Sequence, residues 1–182
     1  MPAEGLGLVR GEVRLAAYDP AWDAAFLRLR LRLLKIVPES RIEHVGSTSV
    51  PGCDAKPIID VSVGLAEGSR LRVDAARSIG LHFRSVSPTS TLFIFTDSSG
   101  IRIAHVHVAR LNSEDELRLL RFRDYLRAHP RVVGEYVAAK HRALATSKDR
   151  EGYTARKAPF FRKLEPRVLR WARRTRWTPQ EL

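Results

Sequence analysis

The run IIDVSV, residues 58–63, constrains this chain more than any other segment. Its β-branched residues fit a pleated strand, yet Asp60 interrupts them, and a carboxylate among aliphatics is costly to bury without a partner. Strand alternation resolves the conflict. Ile59, Val61 and Val63 share one face, while Ile58, Asp60, Ser62 and Gly64 share the other. The run IRIAHVHVA, 101–109, is built the same way, with Ala104, Val106 and Val108 on one side and His105 and His107 on the other. If both strands belong to one sheet, the aliphatic faces stack on helices and Asp60, Ser62, His105 and His107 gather on the second face. One carboxylate beside two imidazoles suits a divalent cation or acid–base chemistry.

The rest of the chain supplies what such a sheet needs. EVRLAAY (12–18) alternates weakly and reads as an edge strand, and Asp19-Pro20 reads as a helix start. Phe26, Leu29, Leu33 and Ile36 recur at helical spacing over 22–37, and Pro38 ends that helix. RIEHV (41–45) is a short strand, followed by a loop over 46–57. A helix over 69–78 closes at Gly80, and strands follow at 81–86, 91–95 and 101–109. From Ser113 the pattern turns helical, over 114–128, 131–146 and roughly 150–174. This order defines an α+β chain, with an α/β core over 1–112 and a C-terminal helical subdomain over 113–182 packed on it as one structural unit.

The chain has 182 residues, enough for one sizeable core. No apolar run approaches the ~20 residues of a bilayer span, and MPAEGLGLVRGEV lacks a leader pattern, so no membrane partner and a cytoplasmic setting are expected. The single cysteine, Cys53, excludes an internal disulfide. A formal net charge of +12 favours anionic partners, although a solvated basic face is the commoner meaning of such a surplus. Trp171 and Trp177 lie among arginines in the last segment, where stacking on bases competes with simple cover for the core. Nucleic acid is therefore the less favoured partner, and the oligomeric state stays open.

Between the first strand and IIDVSV lies Gly46-Ser47-Thr48-Ser49. Small residues allow close backbone approach, and their amides and hydroxyls can donate to phosphate oxygens. The segment lacks the Gly-Lys-Ser/Thr ending of a Walker loop. Lys56, before Pro57, is a further phosphate contact in this reading.

A Gly-Ser turn followed by a strand aspartate resembles the nucleotidyltransferase superfamily. More closely, YDPAW (18–22), RIEHVGSTSVPG (41–52), AKPIIDVSV (55–63), HVHV (105–108), LRFRDYLRAHP (120–130) and YTARKAPFF (153–161) resemble the GrpB-like family, which is assigned to that superfamily. The resemblance implies a nucleotidyltransferase-like mixed β-sheet flanked by helices. It implies that Gly46 and Ser47 hold the phosphates of ATP or another NTP, and that Asp60 is the first carboxylate of a Mg²⁺ or Mn²⁺ site. The superfamily's second carboxylate falls two residues later, where this chain has Ser62. The later strand offers His105 and His107 instead of an acid, so His107 joins Asp60 as the expected metal ligand.

In the helical half, Arg123, Lys140, Tyr153 and Lys157 lie in the matching blocks as candidate clamps for phosphate or an acidic substrate. For Arg123, pairing with a neighbouring acid such as Asp124 or Glu116 is the equal alternative. Three functions remain open. The first is metal-assisted nucleotidyl transfer, or ATP-dependent activation of a small-molecule acceptor, with Asp60, His107 and His105 catalytic. The second is a non-catalytic nucleotide- or RNA-binding module with a degraded carboxylate set. The third is histidine-based acid–base chemistry on a small molecule.

Overall fold

A computed structural model describes residues 5–179. The start of the stretch read for a leader and the last three residues of the Arg/Trp-rich segment lie outside that range. Helix α1 (Ala21–Leu34) precedes strands β1 (Arg41–Val45) and β2 (Ile59–Leu65), then helix α2 (Val73–Ser78). Strands β3 (Leu81–Val86), β4 (Ser90–Thr96) and β5 (Arg102–Arg110) follow, and helices α3 (Glu114–Ala128), α4 (Pro130–Thr146) and α5 (Arg150–Thr175) complete the chain.

The five strands form one mixed sheet in the order β1-β2-β5-β4-β3. Only β2 and β5 run parallel; their register sets Asp60 beside His105 and Ser62 beside His107. The two alternating strands therefore do share a sheet, and their faces divide as the pattern requires. Ile59, Val61, Val63, Ala104, Val106 and Val108 are buried with Trp22, Phe26, Leu29 and Leu33 of α1. Each of the Ile, Val, Leu and Phe side chains contributes about 1.5–3 kcal/mol relative to exposure. The apolar stripe of α1 thus fixes which way Asp60 points.

The opposite face is covered in part by α3. Glu116 enters over Gly64, where the Cβ of any other residue would collide with its carboxylate. There Glu116 accepts from Arg41 Nη2 at 2.7 Å and Nε at 3.0 Å. A second apolar cluster joins α3, α4 and α5 to Val50 and Cys53 of the 46–57 loop. That cluster holds the helical half against the turn that precedes β2.

Three local expectations need correction. Residues 12–18 form no regular strand; only Ala16 makes a bridge, to Ala55. Helix α1 stops at Leu34, before Ile36, and its start has Pro20 at the cap while Asp19 Oδ1 accepts from the Ala21 N–H at 2.8 Å. Helix α2 begins at Val73, four residues later than its polar flank suggests.

Candidate functional site

Gly46 leaves β1 with φ +72°, a region that L side chains rarely adopt, and Ser47–Ser49 close as a 3-10 turn. A Cβ on Gly46 would lie 2.5 Å from Asp60 Oδ2. The turn is pinned from behind by a chain of polar groups, buried at His44 and Thr48 and exposed at Asp23: His44 Nδ1 is 2.9 Å from Asp23 Oδ1, and His44 Nε2 is 3.0 Å from Thr48 Oγ1. Burial pushes the His44 pKa down despite Asp23, which favours the neutral ring. An ionised Asp23 can only accept, so Nδ1 carries the proton and Thr48 donates to Nε2. Thr48 lines the cleft, but its hydroxyl is committed to His44.

Across the turn, His105 Nδ1 lies 3.1 Å from Asp60 Oδ1, and His107 Nε2 lies 3.5 Å from the same oxygen. Burial works against the Asp60 anion, but the hydrogen bonds and charges of the two histidines outweigh it and hold the carboxyl well below its usual range. The side chain remains about one-third accessible. Asp60 is thus an ionised orienting group for two imidazoles.

These residues form the floor of a cleft of about 700 Å³, roofed by α3, α4 and α5. That volume falls within the range of sites for nucleotide-sized ligands. Seven Lys and Arg side chains line it against two carboxylates, Asp60 and Glu165. Ser47 Oγ donates to Tyr136 Oη at 3.2 Å, joining the floor to α4. Lys157 Nζ sits 4.7 Å from the centre of the Tyr153 ring, and Lys56 Nζ lies 5.5 Å from it. Burial lowers the pKa of Lys56 and Lys157, and repulsion from Arg102 and Arg150 adds to it at Lys56. Lys157 is brought down to about 8, with the charges of Lys56 and Lys140 contributing. Lysines crowded in this way are stabilised by a bound polyanion.

Sequence-expected residues therefore separate into two groups. Gly46, Ser47, Thr48, Lys56, Asp60, His105, His107, Lys140, Tyr153 and Lys157 all line the cleft. Lys140 is the least free of them: its ammonium donates to the Asp54 carbonyl and to Cys53 Sγ, and lies over the Tyr136 ring. Ser49 is turned inward, its hydroxyl donating to the Gly46 carbonyl at 2.8 Å.

Arg123 also lies away from the cleft lining. It is 1% exposed and donates to Glu43 at 2.5 Å, to Asp124 at 2.7 Å and to the His44 carbonyl at 3.1 Å. Its role is to dock α3 on β1. Sequence reading missed Tyr136, Arg150 and Arg162, which line the cleft. The four-residue spacing of Tyr136 and Lys140 on one helix face was the available signal for the first; nothing distinguished the arginines from a solvated basic face.

The Mg²⁺ or Mn²⁺ site implied by the superfamily does not fit the residues present. Among the described residues no group of three His, Cys, Asp or Glu side chains forms a cage. Position 62 offers a serine that is 2% exposed, and the carboxylate opposite it in register, Glu43, is taken by Arg123. The donors that do assemble are one carboxylate and two imidazoles turned onto one of its oxygens. This is a poor match to the oxygen-rich shell of a hard cation.

The sheet order, the Gly-Ser turn against a strand aspartate and the roofed cleft define a nucleotidyltransferase-like fold. The structure of a cytoplasmic RNA terminal U-transferase superposes with a TM-score of 0.51 over 70% of this chain and 42% of that one, at 15% identity, a likeness of fold alone. More narrowly, the model of the GrpB protein family matches residues 12–167, and the chain belongs to that family. The crystal structure of GrpB from Enterococcus faecalis matches with a TM-score of 0.75 at 30% identity, over 86% of this chain and 98% of the other. A UPF0157 protein of Pseudomonas aeruginosa is 38% identical over 83% of this chain and 65% of its own length. No helix among the described residues is long and apolar enough to cross a membrane.

Proposed function

We propose that the cleft binds a nucleoside triphosphate and transfers its nucleotidyl group to a hydroxyl-bearing acceptor. The observation that carries this reading is the Gly46–Ser47 turn closed on Asp60 at the floor of a cleft crowded with lysines. Ser47 and the turn amides meet phosphate oxygens, while Lys56 and Lys157 neutralise the departing pyrophosphate. The acceptor hydroxyl passes its proton to His105 or His107 as its oxygen bonds to the α-phosphorus and the bond to pyrophosphate breaks. Asp60 orients the imidazole and stabilises the imidazolium. No step is routed through a metal, because the donors present do not form its site.

The second reading is recognition without turnover. It is favoured by one observation, the serine buried at position 62 where a second carboxylate would stand. Thermal shift with each NTP tests binding, and pyrophosphate release with candidate acceptors tests transfer. Stabilisation by NTP together with release that disappears in Asp60→Asn supports the transferase. Stabilisation with no release in any acceptor pool supports recognition alone. An unchanged melting temperature with every NTP sinks both.

A further inference from the structure

Arg102 opens β5 and is held in place by its own backbone, bridged to Leu8 on one side and in register with Thr96 on the other. It is only 8% exposed. Its Nε and Nη2 are both buried, and neither has a hydrogen-bond partner among the described residues. These two nitrogens form one edge of the guanidinium plane, the edge that grips an oxyanion side-on through two parallel N–H···O bonds. A buried charge with that edge empty is costly, and native structures rarely leave such groups unmatched without an ion or water.

Among the described residues, no carboxylate is among the charges that act on Arg102. Arg150 and Arg84 are the charges that act on Arg102, and both oppose it, in addition to burial. Arg102 and Arg150 in turn act on Lys56, which Asp60 alone among the described acids offsets. Asp60 already holds His105 and His107. Lys56 and Arg150 line the cleft; Arg102 does not, but its charge acts on Lys56 and that of Arg150 acts on it.

We propose that the buried, unpartnered Nε–Nη2 edge of Arg102 at the start of β5 is an oxyanion subsite that takes a phosphate or carboxylate group. It stands without the nucleotide reading; within that reading it receives an anionic group of the acceptor. The acceptor class is then a hydroxyl compound that also carries a phosphate or carboxylate.

The test is thermal denaturation of the full chain in sodium phosphate, and separately in sodium malonate, each against sodium chloride at matched ionic strength. Wild-type, Arg102→Gln and Arg102→Lys proteins are compared. The wild type is expected to gain stability saturably in the preferred anion, and the arm with the lower midpoint identifies phosphate or carboxylate. Arg102→Gln is expected to melt at or above the wild-type temperature in chloride, because an unpaired buried charge is gone, and to lose the anion response. Arg102→Lys keeps the charge without the fork, and its midpoint is expected to rise at least tenfold. A wild type that does not respond to either anion overturns the proposal. So does an Arg102→Gln protein whose anion midpoint stays within twofold of wild type, or one that melts well below it in chloride. NTP stabilisation is measured in the same proteins. Its absence in wild type alongside a retained anion response would sink the nucleotide reading and leave this subsite standing.

Discussion

The α-carbon of Gly46 and the carboxylate of Asp60 occupy each other's contact surface: a Cβ at residue 46 would stand 2.5 Å from Asp60 Oδ2 and 2.9 Å from Asp60 Cβ. The turn that would hold phosphates and the acid that orients the histidines are therefore one packed unit.

Gly46→Ala tests this unit against an internal control. Gly52 has the same φ of +72° but open space where its Cβ would go. Gly52→Ala carries only the backbone penalty, about 1 kcal/mol, whereas Gly46→Ala adds the collision and is expected to cost about 2–4 kcal/mol. Urea denaturation gives both values. Equal losses would show that Asp60 yields freely and that the two residues are not a unit.

Lys157 predicts opposite pH responses for stability and for binding. Its folded-state pKa of about 8 lies below the ordinary 10.5, so between these values the unfolded chain binds the proton and the folded chain does not. Stability of the free protein from this group therefore rises as pH goes from about 8 to 10.5. The Lys157→Met protein lacks that rise. Affinity for a polyphosphate runs the other way, falling about tenfold as the free lysine loses the charge that contacts the anion, at roughly 1.4 kcal/mol for one charged hydrogen bond. Calorimetric titration of ATP at pH 7 and pH 9.5 checks this, and equal affinities at both would remove Lys157 from the phosphate contacts.

Arg123 separates docking from clamping. Its removal leaves Glu43 buried without its guanidinium, at an expected cost of about 3–5 kcal/mol in Arg123→Met. The fraction still folded is expected to bind ATP with wild-type affinity, because the side chain does not line the cleft. A stable Arg123→Met protein with weakened binding would restore the clamp reading.

What the sequence disclosed follows from the range of each interaction. Alternation is local, so the gathering of Asp60, His105 and His107 could be read from two short runs, and so could the stripe Phe26, Leu29 and Leu33. Helices α3, α4 and α5 fall within a residue of their expected bounds because Ser113 and Pro130 punctuate them. The weak alternation of 12–18 carried no such weight, and only Ala16 found a partner. Arg123 could not be resolved, since Glu43 lies 80 residues earlier and nothing local chooses between it and a phosphate. Arg102 was invisible for the same reason: its meaning is an Nε–Nη2 edge without a partner among the described residues, which only the assembled structure displays.

Ser62 is where superfamily chemistry and this chain part, and Ser62→Asp asks whether the missing acid alone explains it. The serine is buried, in register with Glu43 on one side and His107 on the other. A carboxylate placed there faces Glu43, whose charge is already matched by Arg123, and it gains no cation of its own. Like charges meeting across adjacent strands out of water are costly, so the variant is expected to lose about 2–4 kcal/mol of stability. It is also expected to gain no affinity for Mn²⁺ in a calorimetric titration, because position 62 is buried and does not line the cleft. If Ser62→Asp instead binds Mn²⁺ tightly and keeps its stability, then position 62 opens onto the cleft, and the chain is one substitution from the two-carboxylate arrangement that the superfamily resemblance implies.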